Sequence, residues 1–204
     1  MGQIFSSPKL TDFHKEKLLH EFRTFYDLDG DGYVTSEDFR VAKEYICKLN
    51  GWPADGEREQ TADAVFKSIW ESLEKLGDRD NDGRITSDEW LQMWENLYRR
   101  MFDKLPNGTM PSIEDLPLWC YRYMLHRFHM FDRTGDGTID KEEYEYVISH
   151  FNVSAATAHK AFVLFSENHQ RTIDFPTFCH LCAEYYFSSD PAALGNFIVG
   201  KLDW

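Results

Sequence analysis

A twelve-residue acidic segment occurs three times in this chain: DLDGDGYVTSED from Asp27 to Asp38, DRDNDGRITSDE from Asp78 to Glu89, and DRTGDGTIDKEE from Asp132 to Glu143. Each copy has Asp at positions 1 and 5, Gly at 6, a β-branched residue at 8 and an acid at 12. Five carboxylates in so short a stretch repel one another unless a cation lies among them. Three copies in one chain make the segment the unit around which the rest must be built.

The spacing suits a hard divalent ion. Calcium takes roughly six to eight oxygens, and the twelve-residue EF-hand loop supplies them from positions 1, 3, 5, 7, 9 and 12, with Gly at 6 for the turn. In the first loop the donors are Asp27, Asp29, Asp31, the Tyr33 carbonyl, Thr35 (often through water) and Asp38, turning at Gly32. The second offers Asp78, Asp80, Asp82, the Arg84 carbonyl, Thr86 and Glu89, turning at Gly83. The third offers Asp132, Thr134, Asp136, the Thr138 carbonyl, Asp140 and Glu143, turning at Gly137. Three calcium ions are therefore expected. Magnesium should compete most at the first loop, where Asp38 is one methylene shorter than Glu89 or Glu143 and reaches less easily as a two-oxygen ligand.

The same register continues into a fourth window, SENHQRTIDFPT from Ser166 to Thr177. Ser166, Asn168 and Gln170 replace the acids at 1, 3 and 5, Arg171 replaces the turn glycine and Thr177 the acid at 12, so only Asp174 is left. Position 8 is Val34, Ile85, Ile139 and Ile173 in the four units, as expected where paired loops share a short antiparallel contact. Position 13 is aromatic throughout (Phe39, Trp90, Tyr144, Phe178), which places the first turn of each outgoing helix in a core.

Apolar residues before the loops fall at helical spacing: Leu18, Phe22, Phe25 and Tyr26; Val65, Phe66, Ile69, Trp70 and Leu73; Met124, Leu125, Phe128 and Phe131. Ser36 and Ser87 stand where a cap would open the next helix. The Asn50–Gly56 and Pro106–Pro117 stretches, rich in Gly and Pro, read as connectors. The expected fold is all-α and compact, with four EF-hands in two pairs: residues 1–105 (loops 27–38 and 78–89), and residues 106–204 (loop 132–143, the degenerate window 166–177 and a C-terminal strap).

Composition narrows the partners. A formal charge of -13 repels phosphate backbones, so nucleic acid is not expected as a partner. Four scattered cysteines suit a reducing cytosol, and no apolar run reaches the length of a membrane span. The expected location is the cytoplasm. The opening Met1-Gly2-Gln3-Ile4-Phe5-Ser6 fits the N-myristoylation pattern; a single acyl chain on Gly2, beside Lys9, Lys15 and Lys17, gives a reversible membrane contact, while a chance match needs none. The Cys179-x-x-Cys182 pair reads as two buried thiols on one helix face.

The segments FYDLDGDG at Phe25, ICKLNGWPADG at Ile46, IWESLEK at Ile69, DEWLQMWE at Asp88, LPLWCYRYM at Leu116 and GNFIVG at Gly195 resemble the sarcoplasmic calcium-binding protein and calexcitin family. The resemblance implies a compact helical cytosolic protein with calcium in the first three EF-hands and a degenerate fourth. It also implies a role as a calcium-dependent signalling protein, neuronal in the calexcitin case, with a protein target; the alternative within the same family is a calcium buffer. Some accounts of the family invoke guanine nucleotides. Here GNFIVGKL at Gly195–Leu202 departs from the phosphate-loop pattern, because Leu202 replaces the hydroxyl that holds magnesium, and it reads as a packing tail. An oxygenase of the photoprotein type shares the fold, but an enzyme is not expected where the fourth loop has lost its donors.

Overall fold

The computed structural model describes residues 9–105 and 109–204. The myristoylation pattern at Gly2–Ser6 and residues 106–108 of the second connector lie outside these residues.

Eight α-helices form among the described residues: α1 Asp12–Glu21, α2 Ser36–Leu49, α3 Glu57–Gly77, α4 Ser87–Lys104, α5 Leu118–Phe131, α6 Lys141–Ser149, α7 Ala155–Phe165 and α8 Phe175–Phe187. They are the incoming and outgoing helices of four helix–loop–helix units. Strand β1 (Tyr33–Val34) pairs antiparallel with β2 (Ile85–Thr86), placing Val34 opposite Ile85. In the second half a bridge joins Thr138 to Asp174, and Ile139 N donates to Ile173 O at 2.9 Å. The four position-8 residues thus meet in pairs, all buried.

The outgoing helices open one residue earlier than the serines suggest. Their N-caps are Thr35, Thr86, Asp140 and Asp174, at position 9. In the first three units the position-12 acid closes a capping box with that residue, so one acid serves both helix and loop. The serines at position 10 are the first residues inside their helices.

The core is continuous across both pairs. Phe39, Trp90, Tyr144 and Phe178 are all buried. Trp94 of α4 stacks on Tyr186 of α8 at 4.4 Å, and Trp90 Nε1 donates to Leu18 O at 3.0 Å. At its centre the buried Glu21 accepts from Arg127 Nη1 at 3.2 Å and from the Tyr186 hydroxyl at 2.6 Å, tying α1, α5 and α8 together. Such a pair costs desolvation, which its tyrosine partner helps to offset.

The C-terminal segment folds over α8. A short 3-10 turn, Leu194–Phe197, brings Ile198 and Val199 into the core, and Trp204 meets Phe13 edge-on at 6.0 Å. Gly195 lies so close to α8 that a Cβ there would come within 2.1 Å of Leu181 O. Lys17 is also part of this packing: it is 1% exposed, with Nζ donating to Ser188 O at 2.8 Å and Asn196 Oδ1 at 3.0 Å. It therefore does not belong to a basic surface with Lys9 and Lys15. No helix among the described residues is long and apolar enough to cross a membrane.

Candidate metal centres

A calcium loop must turn its backbone inward while its carboxylates converge, which requires left-handed residues at particular positions. All three acidic loops have them at positions 4 and 6: Gly30 and Gly32, Asn81 and Gly83, Gly135 and Gly137. Sequence reasoning used the glycine at 6 and missed position 4, although Gly, Asn and Gly there carry the signal.

In the first loop, carboxylate oxygens of Asp27, Asp29 and Asp38 lie within 4.8 Å of one another. Asp27 Oδ2 accepts from Gly32 N at 3.1 Å, while its Oδ1 is buried without a hydrogen-bond partner. Burial raises the Asp27 carboxyl above its ordinary range, with nearby Asp31 and Asp38 adding to the effect. An orphaned buried carboxylate oxygen on a residue grouped with two further acids is what a site built for a hard cation presents, so these residues fit calcium. Asp38 is already in place despite its shorter side chain: Oδ1 accepts from Leu28 N at 3.1 Å and Oδ2 from Thr35 N at 2.8 Å.

The second loop gathers Asp78, Asp80 and Asp82 within the same 4.8 Å. Glu89 folds back across it, Oε1 accepting from Arg79 N at 3.0 Å and Oε2 from Thr86 N at 2.9 Å. Burial pushes the Glu89 carboxyl up, but these N–H donors outweigh it and hold the group below its usual value. Tyr33 and Arg84, at position 7, adjoin across the β contact, with the guanidinium 5.2 Å from the ring.

The third loop is held more by its own backbone. Asp132 Oδ1 accepts from Gly135 N and Asp136 N, and its Oδ2 from Gly137 N, at 2.8, 3.1 and 3.1 Å. Glu143 Oε1 takes Thr134 N at 2.8 Å, and Thr138 bonds hold the Asp136 carboxyl below its ordinary range. No trio of its carboxylates gathers as closely as those of the first two loops.

The fourth window has a different backbone. Glu167, Asn168 and His169, at positions 2 to 4, are left-handed, and Arg171 at position 6 is not. Arg171 N closes the turn onto Ser166 O at 2.9 Å, and His169 N donates to the buried Ser166 hydroxyl at 3.1 Å. Donors have been lost, and so has the path of chain that aimed them.

Four helix–loop–helix units, paired through position 8 with acidic loops in three of them, define an EF-hand calcium-binding protein. EF-hand profiles match residues 75–94 and 125–146, and an EF-hand domain-pair profile matches residues 8–44. The chain is 26% identical over 193 residues to sarcoplasmic calcium-binding proteins I, III and IV of Branchiostoma lanceolatum, covering 94% of this chain and 98% of the relative. It is 22% identical over 190 residues to calexcitin-1 of Caenorhabditis elegans, covering 90% and 84%. The structure of an amphioxus sarcoplasmic calcium-binding protein superposes with a TM-score of 0.79 at 26% identity, over 95% of this chain and all of that one. The chain is thus an EF-hand protein similar to the sarcoplasmic calcium-binding proteins and to calexcitin.

The remaining sequence candidates have structural explanations. Cys179 and Cys182 are free and buried, and burial pushes the Cys179 thiol up to about 12, far from the reactive range. His180 and Glu184, one helical turn apart on α8, approach to 3.4 Å, a pairing the sequence reading passed over.

Proposed function

We propose that the chain binds three calcium ions, one each in loops 27–38, 78–89 and 132–143, and none in the 166–177 window. The ligands are Asp27, Asp29, Asp31, Tyr33 (carbonyl) and Asp38; Asp78, Asp80, Asp82, Arg84 (carbonyl) and Glu89; Asp132, Thr134, Asp136, Thr138 (carbonyl) and Glu143. The observation that carries this reading is the left-handed pair at positions 4 and 6 shared by those three loops, against a fourth that is left-handed at positions 2 to 4 and not at 6. When bound, calcium supplies positive charge that cancels the repulsion among these acids. The residues themselves fix the loop ends, since each position-12 acid is also the third residue of an outgoing helix.

We further propose that binding is read as a signal by a protein target in the cytoplasm, through residues 1–105 and 106–204 acting as two EF-hand pairs. Support comes from the orphaned Asp27 oxygen and the Glu21–Arg127–Tyr186 cluster, because the first loop and the centre of the core are joined by a single helical turn. A buffer reading is favoured by one feature, the tightly stacked aromatic core. Hydrogen exchange with and without chelator separates the two: signalling requires protection to fall in α1 and α2 as well as in the loops, whereas equal protection of the helices in both states leaves only the buffer.

A further inference from the structure

Between α1 and loop 27–38 the chain makes a π-helical turn, Phe22–Tyr26, in which Asp27 N donates to Phe22 O at 2.9 Å. Such a turn adds a residue to the helix and widens it, and it recurs at functional sites. Here the widened turn forms one wall of a half-open cleft of about 470 Å³, closed on its other sides by α2, α3, α5 and the Phe151 region. The volume lies in the range that holds a small organic molecule, roughly 300 to 1,000 Å³.

Two features of the lining specify a ligand. Aromatic rings dominate the walls: Phe25 and Phe151 stand 4.8 Å apart, Tyr45 reaches Phe151 at 6.4 Å, and Phe66 contributes from α3. Deeper, the structure leaves polar atoms without partners. Arg127, 3% exposed, uses Nη1 on Glu21 and has no partner for Nη2; the enclosed Nε2 of the neighbouring His126 has none either. Buried polar nitrogens are seldom left unpaired in a folded protein, because each costs about 1 to 3 kcal/mol. Arg23 and His150 stand at the exposed mouth, and the one acid of the lining is Asp27.

We propose that this cleft is a binding site for a small aromatic anion, its ring between Phe25, Phe66 and Phe151 and its carboxylate or sulfonate on Arg127 Nη2 and His126. Because Asp27 is both cleft wall and position 1 of the first loop, the site is coupled to calcium. This coupling rests on the proposed ligand role of Asp27; the binding itself does not. With calcium absent, the Asp27 carboxylate opposes an anion in the cleft; with its charge neutralised, the anion binds more tightly. Linkage makes the effect mutual, so the anion must tighten calcium at the first loop by the same factor.

The probe for the test is 8-anilinonaphthalene-1-sulfonate, with the uncharged N-phenyl-1-naphthylamine as its control, titrated by fluorescence and calorimetry in chelator and then in calcium. The expected result in chelator is one sulfonate probe per chain, bound at least tenfold more tightly than the neutral control, the least expected of a charge-assisted hydrogen bond. Ala42→Trp, which fills the cleft from α2, should abolish that site; Val41→Trp, at the more exposed rim, serves if the first variant loses helical circular dichroism. Calcium should tighten the wild-type site about fivefold, at the low end of ordinary coupling, and leave it unchanged in Asp27→Asn. Equal affinity for the neutral control, or sulfonate binding that survives both filling variants, overturns the site. One-to-one binding that ignores calcium overturns the coupling. Calcium stoichiometry measured without probe reports on the metal sites independently of all these outcomes.

Discussion

Glu89 does two jobs that one substitution can separate. Its carboxylate accepts from Arg79 N at 3.0 Å, and from Thr86 N and the Thr86 hydroxyl at 2.9 and 2.8 Å, closing the capping box of α4. In Glu89→Gln one carboxylate oxygen becomes an amide NH₂, so one backbone N–H loses its acceptor. Both N–H groups are near the surface, and a net loss of about 1 kcal/mol is expected from a bond of this kind. With calcium at 100 times its dissociation constant the wild-type loop gains about 2.7 kcal/mol by mass action, and the variant forfeits most of it. Urea unfolding should therefore show a deficit of about 1 kcal/mol in chelator that widens to about 4 kcal/mol in calcium. If the two deficits are equal, Glu89 is a cap and not a ligand, and the dual role assigned to position 12 fails.

Asp38→Glu should raise the ratio of calcium to magnesium affinity at the first loop and leave the other loops unchanged. Titration calorimetry in each ion checks this, and an unchanged ratio contradicts the reach argument. The fold should also weaken in acid through His126. Burial, with help from His129 and Arg127, lowers its imidazole from 6.5 to about 4, so the unfolded chain takes up a proton first. Stability from this group is complete above pH 6.5 and is lost as pH falls towards 4, by at most about 3 kcal/mol. His126→Phe, packed against Phe66, should flatten that part of the profile measured in chelator; an identical slope in both proteins counts against the assignment.

The acidic loops were legible as helix–loop–helix turns because coordination chemistry dictates a fixed spacing, and the position-8 pairs because β contact between loops wants branched residues. The caps were read one residue late, since Ser36 and Ser87 have the right chemistry but the backbone places Thr35 and Thr86 where the helix opens. The π turn at Phe22–Tyr26 left no mark in the sequence. Its apolar spacing fits an ordinary helix, and the turn is visible only once Asp27 N is seen to bond back to Phe22 O. Lys17 and Glu21 were hidden for another reason: their partners Ser188, Asn196, Arg127 and Tyr186 lie more than a hundred residues away, and local pattern carries no trace of such pairings. The degeneracy of the fourth window was plain from its missing acids. The three left-handed residues Glu167, Asn168 and His169 were not, because none is glycine.

In the proposed function three loops bind calcium, while the fourth has lost both its donors and its backbone path. Calorimetric titration of the chelator-stripped wild type alongside Asp78→Ala, Asp132→Ala and Ser166→Asp tests it most directly. Three ions per wild-type chain, two in each Asp→Ala variant and still three in Ser166→Asp are the predicted results. A wild-type stoichiometry of two or four, or a fourth ion gained from the single acid at Ser166, would contradict it.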